Sequence, residues 1–124
     1  MAKTVLIVDD NAYIRRALCE LFTREAEFEV CGEAANGRQA LSKVLELHPD
    51  LIVMDLSMPE MNGLETAREL RRLMSGVPII LCTFFGDATI QQEAQRVGIS
   101  EVVSKSQPST VLIGKARDLL FRAS

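Results

Sequence analysis

The chain has 124 residues, 48% of them apolar and 25% charged, with a formal net charge of −3. That length supports one domain with one core. The mild negative charge argues against a surface built for nucleic acid or an anionic membrane, which needs clustered Lys and Arg. No apolar run reaches the length of a membrane span, and no charged-then-apolar leader opens the chain. A cytoplasmic domain covering residues 1–124 is therefore expected.

Two hydrophobic periods alternate along the chain. Short β-branched runs are predicted as strands at 4–8, 28–34, 51–54, 77–82 and around 101–103. The first, third and fourth are almost continuously apolar, as strands covered on both faces of a parallel sheet should be. Helical spacing fills the gaps between them. Ile14, Leu18, Leu21 and Phe22 make a first stripe, and Ala40, Leu41, Val44 and Leu45 a second. Leu64, Ala67, Leu70 and Met74 make a third, and Leu112, Ala116, Leu119 and Leu120 a fifth. The fourth helix has the thinnest stripe, Ile90, Ala94 and Val97, amid Gln91, Gln92, Glu93, Gln95 and Arg96. A thin stripe anchors a helix loosely, as a mobile or partner-binding element requires. Asn36-Gly37, His48-Pro49-Asp50, Met61-Asn62-Gly63, Ser75-Gly76 and Gly86-Asp87 punctuate the pattern. Five βα units in succession predict a doubly wound α/β sheet with helices on both faces.

Cys19, Cys31 and Cys82 lack paired metal or redox spacing, and each lies in an apolar pattern, so they read as buried free thiols. The single His48 sits beside Pro49 at a helix end with no partner spacing for a metal.

In a doubly wound sheet the ligand crevice lies beyond the carboxyl ends of the central strands. Asp9, Asp10, Asp55, Thr83 and the segment Ser104-Lys105 occupy that rim. Taken alone, Asp9 or Asp10 reads first as a helix N-cap, Thr83 as a turn hydroxyl and Lys105 as a solvated cation. Together they describe a site. Three carboxylates repel one another, and a divalent cation plus one ammonium balances their charge. Oxygen ligands completed by water suit magnesium. Such an ion reduces repulsion between a phosphoryl group and an attacking carboxylate. A carboxylate is a known nucleophile toward phosphorus. Thr83 and Lys105 can then bond the remaining phosphoryl oxygens.

The arrangement of Val8-Asp9-Asp10, Asp55 followed by Met58-Pro59 and Gly63, Thr83 and Lys105 resembles the response-regulator receiver. The resemblance covers essentially the whole chain. It implies a flavodoxin-like fold with strand order 2-1-3-4-5 and five helices. It implies that Asp55 accepts a phosphoryl group from a histidine kinase. Asp10, Asp55 and the main-chain carbonyl of Ser57 would hold magnesium, with Asp9 reaching it through water. Thr83 would move toward the phosphoryl group and Lys105 would pair with it. The change would reach partners through the fourth helix, fifth strand and fifth helix, a face that also allows a homodimer. The implied role is a switch, with autocatalytic phosphotransfer and slow dephosphorylation rather than turnover.

This sequence departs from the common receiver pattern in three places. Val102 stands where many receivers carry Phe or Tyr, so no ring is available to rotate. Ser106 replaces the common Pro after Lys105, which predicts a trans bond there, since cis before a non-proline residue costs about 2.5–4 kcal/mol. Phe84 and Phe85 follow Thr83, where a small residue is usual, and their loop is predicted to carry the switching motion. Lys105-Ser106 with Pro108 nearby is similar to receivers joined to helix-turn-helix outputs, so a C-terminal DNA-binding domain outside this chain is implied. The domain itself is expected to bind no nucleic acid.

A dehalogenase-type hydrolase would need Asp-x-Asp after its first strand, and a flavodoxin-like cofactor binder would need a Ser/Thr/Gly-rich loop there. Asp9-Asp10-Asn11 supplies neither. The remaining alternative is a degenerate receiver that binds partners without phosphorylation, an idea that Val102 supports.

Overall fold

The three runs that read as doubly covered strands form the middle of the sheet. The computed structural model describes residues 2–74, 76–84 and 86–121. Its elements are β1 (Lys3–Val8), α1 (Ala12–Thr23), β2 (Phe28–Ala34), α2 (Gly37–Leu47), β3 (Leu51–Asp55), α3 (Gly63–Leu73), β4 (Ile79–Thr83), α4 (Ala88–Arg96), β5 (Glu101–Ser104) and α5 (Ser109–Phe121). The strands form one parallel sheet in the order β2-β1-β3-β4-β5.

Alternation along each strand divides the core between the two faces. Leu6, Val8, Ile52, Met54, Ile79 and Leu81 point to the layer closed by Ala40 and Val44 of α2, Leu64, Ala67 and Leu70 of α3, and Ala94 of α4. Val5, Ile7, Leu51, Val53, Ile80 and Cys82 point the other way, against Phe22 of α1 and Leu112, Ile113 and Ala116 of α5. The predicted stripes therefore hold with one exception. Leu45 is half exposed, and Leu47, two residues on, packs on that core instead. As expected for its thin stripe, α4 fully buries only Ala94 of its own residues.

Strand ends differ from the predicted ranges by a residue or two, and the differences matter. Both β3 and β4 extend to take in Asp55 and Thr83, so each functional side chain leaves the last position of a ladder. At its start β4 loses Val77 and Pro78, because proline has no N–H to give the ladder. Its carbonyl still accepts from the Ile52 N–H at 3.0 Å.

Local chemistry ends the helices. Asn62 and Glu65 form a reciprocal capping box at α3, and Asp87 caps α4 through the Ile90 N–H. His48 takes a left-handed conformation, φ 48°, at the end of α2, a stop before Pro49. All three cysteines are unpaired. Cys82 is buried, whereas Cys19 and Cys31 are half-buried, less than expected. Burial pushes the Cys82 thiol up to about 12 and that of Cys19 to about 11, so both stay protonated at neutral pH. No cis peptide bond occurs among the described residues, and Lys105-Ser106 is trans as expected. No helix among the described residues is long and apolar enough to cross a membrane.

Candidate functional site

All five parallel strands run the same way, so their carboxyl ends share one edge. Along it, Asp9 follows β1, Asp55 ends β3, Thr83 ends β4 and Lys105 follows β5. They line a cleft of about 200 Å³ together with Asp10, Asn11, Ile14, Ser57 and Phe84. Every residue predicted for the site is therefore brought to it.

The helix cap is not where either aspartate alone suggested. Asn11 caps α1, its side-chain oxygen accepting from the N–H groups of Tyr13 and Ile14 at 3.0 and 3.1 Å. This releases both aspartates for the cleft. Asp9 is fully buried and its Oδ1 accepts from the Asn11 N–H at 2.9 Å, while Asp10 is exposed. The physical reason is chain length: three residues connect β1 to α1, and only the last of them stands at the helix entrance.

Lys105 joins the two buried carboxylates. Its Nζ donates to Asp9 Oδ2 at 2.8 Å and to Asp55 Oδ1 at 2.9 Å, from a side chain only 10% exposed. The backbone holds the lysine in register, since its N–H donates to the Thr83 carbonyl at 3.0 Å. Burial works against the Lys105 ammonium, but hydrogen bonds to Asp9 and Asp55 outweigh it and raise its pKa. Burial also raises the Asp55 carboxyl above its ordinary range. The Lys105 hydrogen bond opposes that rise, the Asp9 charge adds to it, and a Ser57 backbone hydrogen bond opposes it. Lys105 faces two anions, which outweigh its burial, whereas at Asp55 burial prevails because its one cation is opposed by the Asp9 anion.

Oxygens of Asp9, Asp10 and Asp55 lie within 4.8 Å of one another. Carboxylates so close, with one side open to water at Asp10, fit a hard, partly hydrated divalent ion such as magnesium.

Backbone packing fixes where Asp55 stands. A β-carbon on Gly63 would lie 2.5 Å from the Asp55 carbonyl oxygen and 2.8 Å from Leu81 Cδ1, so only glycine fits. The Gly63 N–H donates to the Leu56 carbonyl at 2.8 Å, closing the loop after β3.

Two contacts of the site residues were not anticipated by sequence reasoning, one in the cleft and one behind it. The Phe84 ring, expected to move with the switch loop but not to touch the lysine, lies 5.6 Å from Lys105 Nζ, a cation–π arrangement on a residue that remains mostly exposed. Arg15 was overlooked altogether: its Nη1 donates to the Asp9 carbonyl at 2.8 Å and its Nε to Glu33 Oε1 at 3.0 Å. The available signal was its place one turn into the helix after the acidic pair. At the fifth strand, Val102 pairs with Leu81 and packs on the α4 side of the core. Phe85, the second ring of the predicted switch loop, lies outside the described residues.

Comparison with known proteins agrees with the site. Residues 5–117 match the family model for the response regulator receiver domain. The chain is 42% identical over 113 residues to the chemotaxis protein CheY of Thermotoga maritima, covering 90% of this chain and 93% of that one. It is 42% identical over 103 residues to a protein-glutamate methylesterase/protein-glutamine glutaminase of Nocardioides sp., covering 82% of this chain but 28% of that protein. A LuxR-family two-component response regulator from Aurantimonas sp. superposes with a TM-score of 0.93 at 28% identity, covering 97% of this chain and 86% of that one. The fold and its acidic strand-end cleft define a two-component signalling module. The chain belongs to the response-regulator receiver family, and its acidic triad is typical of that family's magnesium site.

Proposed function

We propose that Asp55 accepts a phosphoryl group from the phosphohistidine of a sensor histidine kinase, in a reaction that needs magnesium. The observation that carries this reading is the Lys105 bridge between Asp9 and Asp55, with Asp10 beside them. An Asp55 oxygen forms the new bond to phosphorus while the phosphorus–nitrogen bond of the donor breaks, its electron pair returning to the imidazole. Magnesium, when bound, offsets the negative charge that gathers between carboxylate and phosphoryl oxygens. Asp10, Asp55 and the Ser57 carbonyl would hold it, with Asp9 acting through water. Lys105 neutralises charge at the acceptor and, with the Thr83 hydroxyl, bonds the phosphoryl oxygens of the product.

The switched surface is the face of α4, β5 and α5, which is also the surface for a homodimer. A phosphotransfer partner of this kind places the domain in the cytoplasm. We assign the output to transcription, through a DNA-binding domain beyond this chain. Lys105-Ser106 with Pro108, and the likeness to the LuxR-family regulator, support that assignment. The likeness to free-standing CheY favours a second reading, in which the domain acts alone by docking on a partner. A receiver that works without phosphorylation is the third, favoured by Val102.

Acetyl phosphate with magnesium should add one phosphoryl group, and Asp55→Asn should abolish the addition. Peptide mapping that placed the phosphate on another residue of the wild type would refute the assignment.

A further inference from the structure

We infer that Arg15 is a positioning residue for magnesium, acting through the peptide that joins Asp9 to Asp10; this rests on the magnesium reading above. Asp9 is held at four points. Its N–H donates to the Ala34 carbonyl at 3.1 Å, its Oδ1 accepts from Asn11, its Oδ2 accepts from Lys105, and its carbonyl accepts from Arg15 at 2.8 Å. The first three fix the residue on its β1 side and at its carboxylate. Among the described residues, only the Arg15 bond acts on the peptide plane leading to Asp10.

That plane matters because Asp10 is the exposed member of the triad and no described side chain hydrogen-bonds its carboxylate. Its direction follows from the backbone beneath it. Arg15 is itself fixed: its side chain is 20% exposed and its guanidinium is shared between the Asp9 carbonyl and Glu33 of β2. The planar fork of guanidinium meets both partners at once, which a lysine ammonium does poorly. A connected series of groups thus runs from Glu33 on an edge strand through Arg15 and Asp9 to Lys105 and the acceptor Asp55. Loss of a group that orients a metal ligand from behind typically costs about 10–100-fold in metal affinity.

Charge and positioning make opposite predictions. Removing a cation near a magnesium site should tighten binding if Arg15 acts by charge alone, and weaken it if Arg15 acts by orientation. Magnesium titration by calorimetry on the whole chain should show Arg15→Ala weakening binding by about 10-fold, in the range known for such supporting groups. Arg15→Lys should recover part of the loss. In an Asp10→Ala background, Arg15→Ala should have no further effect on magnesium affinity, because the two act through one carboxylate. Equal or tighter binding by both Arg15 variants, or the same loss with and without Asp10, would overturn the inference. If Asp10→Ala abolishes binding while the Arg15 variants match wild type, only this inference fails. If the wild type binds no magnesium, the reading beneath it fails as well.

Discussion

The Lys105 ammonium and the Asp55 carboxylate meet at 2.9 Å across 50 residues of chain, in a cleft from which both side chains are largely shielded. Lys105→Met should therefore leave two buried carboxylates, those of Asp9 and Asp55, without their cation. Breaking a buried pair from one side costs about 3–5 kcal/mol. Chemical denaturation at neutral pH without divalent ions should show a loss of that order, and magnesium should restore part of it. A loss as small as that of a surface ion pair would show that the bridge does not exist in solution.

Asp55 also makes a pH prediction. A carboxyl whose folded pKa lies above its unfolded one is favoured by folding in its protonated form. The stability it contributes is fully present below its ordinary value of 3.8 and is lost as pH rises through the raised folded value. At neutral pH its ionisation is thus a net cost. Asp55→Asn, which leaves Lys105 paired with Asp9, should be more stable than wild type at neutral pH without magnesium. The difference should shrink as the pH falls toward the ordinary aspartate range. Denaturation curves that coincide at neutral pH would contradict the buried, charged acceptor.

Gly63→Ala tests how the acceptor is placed. The added methyl would meet the Asp55 carbonyl oxygen at 2.5 Å, backbone that cannot move aside cheaply. Overpacking of this kind costs about 1–3 kcal/mol, and here it should also slow phosphorylation by acetyl phosphate. Wild-type rate and stability together would mean that the loop after β3 is looser than its packing indicates.

Switching must occur without a rotating ring at position 102. A β-carbon on Gly86 would lie 3.5 Å from Val102 Cγ1 and 3.6 Å from Thr83 Cγ2, so Gly86 stands next to both residues. Movement of Thr83 toward a phosphoryl group should reposition the loop and then α4, which is thinly anchored. Amide chemical-shift mapping with beryllofluoride and magnesium should show changes across residues 86–97 and 108–120. Changes confined to the cleft would favour a receiver that binds phosphate but no longer switches.

Much of this was legible because two simple periods carry it. Continuous apolar runs marked β1, β3 and β4 as the covered strands, and a parallel sheet places all carboxyl ends on one edge. Asp9, Asp10, Asp55, Thr83 and Lys105 could therefore be assigned to one site from their positions after strands. Leu45 could not be read correctly, since its spacing fits the apolar stripe and only the packing of α2, which turns Leu47 to the core instead, decides its exposure. Which residue caps α1 was open for a related reason: any of three polar residues could have stood at the helix entrance, and the path of the chain selected Asn11.

The sequence by itself determined the α/β class, the doubly wound order of elements and the residue types at the strand ends, because hydrophobic period and turn chemistry are local. Only the tertiary structure decided that Asp9 is buried while Asp10 is exposed, and that one ammonium serves Asp9 and Asp55 together. The same holds for Arg15, which reaches back to the Asp9 carbonyl. These are distances between side chains and backbone carried by different elements, set by how helices pack on the sheet, and no local period encodes them.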